Sequence, residues 1–112
     1  MWIITENLLY CCQKNNEYTL YKSDDCPIDL NAPLDLDAIR TRMPHKFRLL
    51  DDDGNVYYIG YCDSLDDLDE HGHERFMPID WAEPHSGCVV MQYVRAVETI
   101  SVQVEVWDTL IG

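Results

Sequence analysis

The sequence predicts an α+β fold, a mainly antiparallel sheet of four to six strands with one short helix. Several short runs rich in aromatic and β-branched residues indicate strands, and one run with apolar residues three and four apart indicates a helix. The connections are too short for the crossovers that parallel strands need. With 112 residues and 46% hydrophobic composition, residues 1–112 have room for a single acidic domain with a modest core.

The first half of the chain predicts two strands and the helix. Residues 1–5 form a short apolar run, and residues 17–22 alternate polar with aromatic or apolar side chains. Residues 23–33 contain two Pro and several Asp and Asn, which is typical of a loop. Residues 35–43 place Leu36, Ile39 and Met43 on one helical face, begin with an Asp that can cap free amides, and are followed by a proline.

A β-hairpin is the clearest local prediction. Two strand-like runs, residues 46–50 and 56–61, flank an Asp-Asp-Asp-Gly-Asn turn in which Gly54 can supply the positive φ of a tight hairpin. Farther along, residues 88–94 and 100–107 predict two more strands, and the segment between them is expected to be their connection.

The charge is unusually negative and unevenly distributed. Eight Lys and Arg against 21 Asp and Glu give a net charge of −13. Residues 49–83 hold eleven acids and one base, and residues 24–37 add five acids without a base. Arg40, Arg42, Lys46 and Arg48 form a basic run between these stretches. Such a charge disfavours nucleic acids and anionic membranes and favours basic protein surfaces.

Membrane insertion and secretion are not expected. No apolar run approaches the roughly 18 residues of a transmembrane helix, and the first residues lack a basic segment followed by a long apolar stretch. Five cysteines without such a signal indicate reduced thiols in a cytoplasm.

Metal binding and catalysis are weaker alternatives. Cys62, His71, His73 and Cys88 carry residue types that suit zinc, but their spacing matches no common zinc motif. Asp51 begins an Asp-x-Asp-Gly run without the Glu that an EF-hand loop requires at its twelfth position.

For catalysis, Cys88 lies three residues after His85, yet it begins an apolar strand, where an inert buried thiol is the common outcome. We therefore expect neither a cofactor nor an enzyme.

The segment Phe-Arg-Leu-Leu-Asp-Asp-Asp-Gly-Asn-Val-Tyr-Tyr-Ile-Gly, residues 47–60, resembles a group of small acidic proteins of phages and mobile elements. The resemblance extends loosely through residues 76–80 and 86–88, and it covers roughly half of the chain. Some small acidic phage proteins antagonise host defence, among them anti-CRISPR and anti-restriction proteins, and several of those imitate DNA. The resemblance implies such an antagonist, acting in the cytoplasm of a bacterial host, and it carries over no site residue.

The expected function is therefore antagonism of a nucleic-acid-binding defence complex, most simply a CRISPR effector complex, through a DNA-mimicking acidic surface. An immunity protein for a basic nuclease toxin would show the same charges, and a small zinc protein is the alternative from another class. Aromatic anchors are expected beside the carboxylates, since aromatic residues dominate interface hot spots. The expected partner-binding residues are Asp51, Asp52, Asp53, Asp63, Asp66, Asp67, Asp69, Glu70, Tyr57, Tyr61 and Trp81.

Overall fold

The computed structural model describes residues 1–8, 21–64, 77–99 and 102–112. In these residues every strand pairing is antiparallel, and the strand order in the sheet is β2-β1-β4-β3-β5-β6. The α+β fold and its mainly antiparallel sheet are confirmed. The elements are β1 (Trp2–Asn7), β2 (Tyr21–Lys22), α1 (Leu36–Arg42), β3 (His45–Leu50), β4 (Val56–Cys62), α2 (Pro78–Ser86), β5 (Val90–Thr99) and β6 (Gln103–Ile111).

The two faces of the sheet are covered by different helices. Because side chains alternate along a strand, Trp2 and Ile4 of β1 lie on one face and Ile3 lies on the other. The first face packs against α2, and its buried cluster is Trp2, Ile4, Phe47, Leu49, Tyr58, Cys62, Met77, Ile79, Trp81, Ala82, Cys88 and Met91. The second face packs against α1, and its buried cluster is Ile3, Cys26, Ile39, Met43 and Tyr61.

The predicted helix and the predicted hairpin are both present. The Asp35 carboxylate accepts hydrogen bonds from the backbone amides of Asp37 and Ala38 at 3.1 and 3.2 Å, and Ile39 is the buried residue of α1. Strands β3 and β4 pair along their length, and Gly54 in the turn has a φ of 86°. Gly60 of β4 has no space for a side chain, because an added Cβ would lie 2.3 Å from the Ile3 carbonyl oxygen.

The second helix, α2, was not predicted from the sequence. Its signals are nevertheless local: Pro78 at the first position, an Asp80 carboxylate that accepts from the Met77 amide at 2.8 Å, and Gly87 with a φ of 73° at the end. Pro84 inside the helix obscured them, since proline usually ends a helix. Neither helix in the described residues has the length and apolar character to cross a bilayer.

The last hairpin is longer than the sequence indicated. Residues 95–99 were expected to connect two strands, but they continue β5 to Thr99. The extra residue Arg95 makes an irregularity where Val94 pairs with Trp107 and Ala96 with Val106, which lets the strand continue with altered twist. Residues 17–20 of the predicted second strand lie outside the described residues, and only Tyr21–Lys22 is described as β2.

Candidate acidic interface

Asp51 organises the hairpin tip, which we define as residues 51–55. One carboxylate oxygen accepts hydrogen bonds from the backbone amides of Asp53 and Asn55, both at 2.9 Å. The other accepts from Asn55 Nδ2 at 3.0 Å and from the Tyr57 hydroxyl at 2.9 Å. The side chain is buried, so the predicted role of Asp51 in direct partner contact is not supported. Asp51 instead holds the shape of the tip.

These contacts also shift the acidities of both partners. The hydrogen bonds from Asn55 lower the pKa of Asp51 below its ordinary value. The hydrogen bond to Asp51 raises the pKa of Tyr57, with burial as a further cause. Both shifts favour an ionised Asp51 beside a neutral Tyr57 hydroxyl, so the hairpin tip keeps its hydrogen bonds throughout the neutral range.

Asp52 and Asp53 are the solvent-facing acids of the hairpin tip. Both side chains are exposed, and neither forms an ion pair within the described ranges. Carboxylate oxygens of Asp51, Asp52 and Asp53 lie within 4.8 Å of one another. Successive phosphates of a nucleic-acid strand are roughly 6 to 7 Å apart. The tip therefore presents negative charge at a local density that matches or exceeds that of a phosphate backbone.

Asp63 belongs to a different end of the sheet. It follows β4, whose other end begins at the hairpin tip, and a seven-residue strand is about 20 Å long. An Asp63 carboxylate oxygen lies 2.8 Å from the terminal amine of Met1, and Asp25 lies 3.5 Å from the same amine. The expectation that Asp63 and the hairpin tip form one continuous array is therefore wrong. The predicted Asp66, Asp67, Asp69 and Glu70 lie outside the described residues.

Basic side chains of β3 are engaged by the sheet itself. Arg48 Nε donates to Gln92 Oε1 at 2.7 Å, and its guanidinium lies 4.1 Å from the centre of the Trp107 ring. Lys46 Nζ lies 3.1 Å from a Glu105 carboxylate oxygen and 5.9 Å from the same ring centre. Burial lowers the pKa of Arg48. Both positively charged side chains therefore contact residues of neighbouring strands in the same sheet.

Other bases behave in the same way. Arg40 donates to the Tyr61 hydroxyl at 3.4 Å, which together with the nearby charges raises the pKa of Arg40. Arg95 lies 3.1 Å from an Asp108 carboxylate oxygen. Lys22 donates to a backbone carbonyl at 2.8 Å. Within the described part of the chain, five of the six Lys and Arg side chains therefore have internal partners, Arg42 being the exception, while Asp52 and Asp53 of the hairpin tip face solvent.

Two of the three expected aromatic anchors are buried in the fold. Tyr61 and Trp81 are 3% and 6% exposed. Tyr61 of β4 is buried on the face that α1 covers, and Trp81 belongs to α2 and packs into the cluster on the first face. Trp81 stacks on Tyr21 with ring centres 5.5 Å apart, and Tyr57 is half-buried with its hydroxyl on the hairpin tip. The burial of Tyr61 and Trp81 therefore gives no support to their predicted role as partner anchors.

The three most exposed large apolar side chains in the described residues lie on the last hairpin. Val97, Val102 and Val104 are 54%, 67% and 47% exposed. Valines alternate with other residues at positions 102, 104 and 106, but alternation alone does not say whether the valine face meets a core. For that reason, the exposed valine surface could not be predicted from the sequence.

The two cysteines of the zinc alternative that the structure describes, Cys62 and Cys88, do not support a metal site. Cys62 and Cys88 are fully buried in the apolar cluster beneath α2. Burial, with a smaller contribution from Asp51, raises the pKa of Cys88 to about 12. Metal ligation and nucleophilic attack both require the thiolate, which this surrounding disfavours. His71 and His73 lie outside the described residues.

Comparisons with known proteins assign no relative. No family model matches the chain, and neither a curated protein nor a solved structure matches it.

Proposed function

We propose that this protein binds a basic protein surface through the acids of its hairpin tip and thereby antagonises a nucleic-acid-binding defence complex. A CRISPR effector complex in a bacterial cytoplasm is the partner we favour. The observation that supports the proposal is the division of charge in the described residues. Five of the six described Lys and Arg side chains, Arg48 and Lys46 among them, have partners within the fold, whereas Asp52 and Asp53 face solvent without a counter-charge.

The division of charge affects how the protein associates with a basic partner. Charges already paired within a protein contribute little to its outer field, whereas unpaired charges of one sign steer a complementary surface toward them. With a net charge of −13, the protein attracts basic surfaces over a distance set by the ionic strength. The rigid tip then places two carboxylates where a partner's Arg or Lys would otherwise hold phosphate.

The rigidity of the hairpin tip also supports the proposed binding to a basic protein surface. Four hydrogen bonds to the Asp51 carboxylate fix the turn, so a bound partner does not have to order it. Preorganised groups lose less conformational freedom on binding than mobile groups do. Asp51 thus acts as a positioning residue for Asp52 and Asp53.

The test compares two charge reversals of equal size. Asp52→Lys with Asp53→Lys changes the hairpin tip, while Asp24→Lys with Glu83→Lys changes two exposed acids elsewhere by the same net charge. Each protein is used as bait in cells that carry an active CRISPR system, and captured proteins are identified by mass spectrometry. We expect the wild type and the control variant to retain an effector complex, and the tip variant to lose it.

Two results would contradict the proposal. Equal loss in both variants would show that net charge alone matters, and full retention in the tip variant would remove the tip from the interface. A third variant, with Asp66, Asp67 and Asp69 reversed, tests the acidic stretch of the sequence separately. Capture of a nuclease toxin in place of an effector complex would favour the immunity-protein alternative.

A further inference from the structure

Strand β6 is the outermost strand of the described sheet on the side opposite β2. It is nine residues long and contains no Lys, Arg or Pro. Natural edge strands are commonly short or carry Lys or Pro, because an unpaired row of amides and carbonyls invites another strand. Val104 on this strand is 47% exposed, and Val102 just before it is 67% exposed. The edge therefore offers an added strand both backbone groups and apolar surface.

The two charged side chains of β6 are both acidic. Glu105 and Asp108 keep 39% and 42% of their side-chain surface exposed. Their basic contacts come from strands on the inner side of β6, Lys46 of β3 at 3.1 Å and Arg95 of β5 at 3.1 Å. A carboxylate offers about four acceptor positions, so one basic contact does not saturate it. An added strand would therefore meet two carboxylates that can each accept further hydrogen bonds.

The charge of this edge selects the kind of strand that it can accept. Like charges directly opposite each other on paired strands destabilise the pair, and opposite charges stabilise it. A second copy would add the two acids of its own β6 and a net charge of −13. A strand that carries Lys or Arg at the matching positions would instead gain two favourable pairs. The acids thus discourage self-association and leave the edge open to a basic strand.

We propose that β6 captures an extended basic segment of another protein as an added antiparallel strand. Addition of a strand to a sheet edge is a common mode of peptide recognition, in which backbone hydrogen bonds supply affinity and side chains supply specificity. The antiparallel direction is expected because antiparallel pairs are slightly more stable per residue. This strand capture is independent of the proposed function, because the hairpin tip lies at the β3–β4 turn and takes no part in it.

The regular part of β6 sets the length of the captured segment. Thr109 and Ile111 pair with neighbouring residues of β5, so Leu110 between them is an extra residue in the ladder. An extra residue bends its strand and interrupts the pairing. The added strand therefore pairs along residues 103–109, a span of about 20 Å.

The positions of the two acids predict the sequence pattern of the captured segment. Glu105 and Asp108 are three residues apart, so their side chains point to opposite faces of the sheet. Their partners must likewise be two basic residues three apart. Val104 and Val106 favour β-branched residues opposite them. A segment with these properties, read antiparallel to β6, is Thr-Lys-Val-Val-Lys-Val-Thr, which places a Lys opposite each acid.

The first test measures binding of this basic peptide to the protein. The peptide carries a fluorescent label behind a short flexible linker, and its anisotropy is followed as protein is added. The control peptide has Glu in place of both Lys. We expect the basic peptide to bind with a dissociation constant below about 1 mM and the acidic peptide to bind at least about tenfold more weakly. No binding of the basic peptide, or equal binding of both peptides, overturns the proposal.

Charge reversal on the protein separates the edge from the overall charge. Glu105→Lys with Asp108→Lys changes the edge, and Asp24→Lys with Glu83→Lys changes two exposed acids elsewhere by the same net charge. We expect the edge variant to bind the basic peptide at least about tenfold more weakly than the control variant does, and to bind the acidic peptide more tightly than the wild type does. That gain requires a folded edge, so it separates lost charge pairing from lost structure. Equal weakening by both variants overturns the edge as the binding site.

Two other outcomes are tested with the same materials. Asp52→Lys with Asp53→Lys should weaken the basic peptide less than the edge variant does, and stronger weakening by this tip variant would place the peptide at the hairpin tip and overturn the edge. Sedimentation equilibrium of the protein without peptide tests a second copy, and we expect a monomer. A dimer that the basic peptide dissociates would show that a second copy occupies the edge, and it overturns the basic segment as the occupant.

Methylation of backbone amides in the peptide tests strand pairing itself. In an added antiparallel strand, alternate residues direct their N–H groups toward the sheet and the others direct them to solvent. Two basic peptides of the same sequence are therefore N-methylated on alternate residues, one on each set. We expect one of them to bind at least about tenfold more weakly than the unmethylated peptide, and the other to bind nearly as well. Equal binding of the two methylated peptides overturns pairing along β6.

Discussion

Replacing Trp107 with Leu tests whether the Trp107 ring holds the Arg48 and Lys46 side chains against the sheet. The Arg48 guanidinium is half-buried and 4.1 Å from the ring centre, where a cation–π contact contributes about 1 kcal/mol. Lys46 at 5.9 Å is near the outer limit and adds about 0.5 kcal/mol. Leu keeps part of the apolar burial. We expect the free energy of unfolding to fall by about 2 kcal/mol.

The assay is denaturant unfolding of a double-mutant cycle that combines Trp107→Leu with Arg48→Met. The lost Arg48–Gln92 hydrogen bond is common to both arms and cancels, so the coupling energy reports the stacked pair alone. We expect a coupling of about 1 kcal/mol. Val104→Ala on the same strand is the control and should change stability by less than about 0.5 kcal/mol. A coupling below about 0.3 kcal/mol would refute the view that Trp107 holds Arg48.

Three further predictions concern the hairpin, the β1–β4 contact and the buried thiol. Asp51→Asn should lower the free energy of unfolding at neutral pH. Because folding lowers the pKa of Asp51, the difference in the free energy of unfolding between variant and wild type should become smaller as pH falls below about 4. Denaturant unfolding at a series of pH values measures this difference. Gly60→Ala should lower the melting temperature by several degrees in calorimetry, since its Cβ would lie 2.3 Å from the Ile3 carbonyl oxygen and 2.6 Å from a Phe47 ring carbon. Cys88, with its pKa raised to about 12, should remain unmodified by a thiol alkylating reagent at pH 8 in the native state and react after unfolding, as read by peptide mass spectrometry.

The hairpin and α1 were predictable because their signals are local. An Asp-Gly turn between two alternating runs, and an Asp cap before a single apolar face, specify structure within a few residues. Helix α2 carries equally local signals at Pro78, Asp80 and Gly87, but the internal Pro84 argues against a helix when only the sequence is considered.

The candidate site was harder to predict from the sequence, for a different reason. Three consecutive aspartates look alike in the sequence, yet Asp51 turns inward to accept hydrogen bonds and the next two remain exposed. An aspartate two residues before an amide it can cap is a known turn signal, and it identifies Asp51 in retrospect. The burial of Tyr61 depends on which helix covers each sheet face, which no local pattern determines.

The central claim is that the acidic tip occupies a surface that otherwise holds nucleic acid. Its most direct test is an equilibrium competition, in which the captured partner is titrated with this protein in the presence of a labelled double-stranded DNA target. We expect bound DNA to be displaced in proportion to the protein bound, and the Asp52→Lys, Asp53→Lys variant to displace little. A stable complex that contains partner, DNA and this protein together would contradict it.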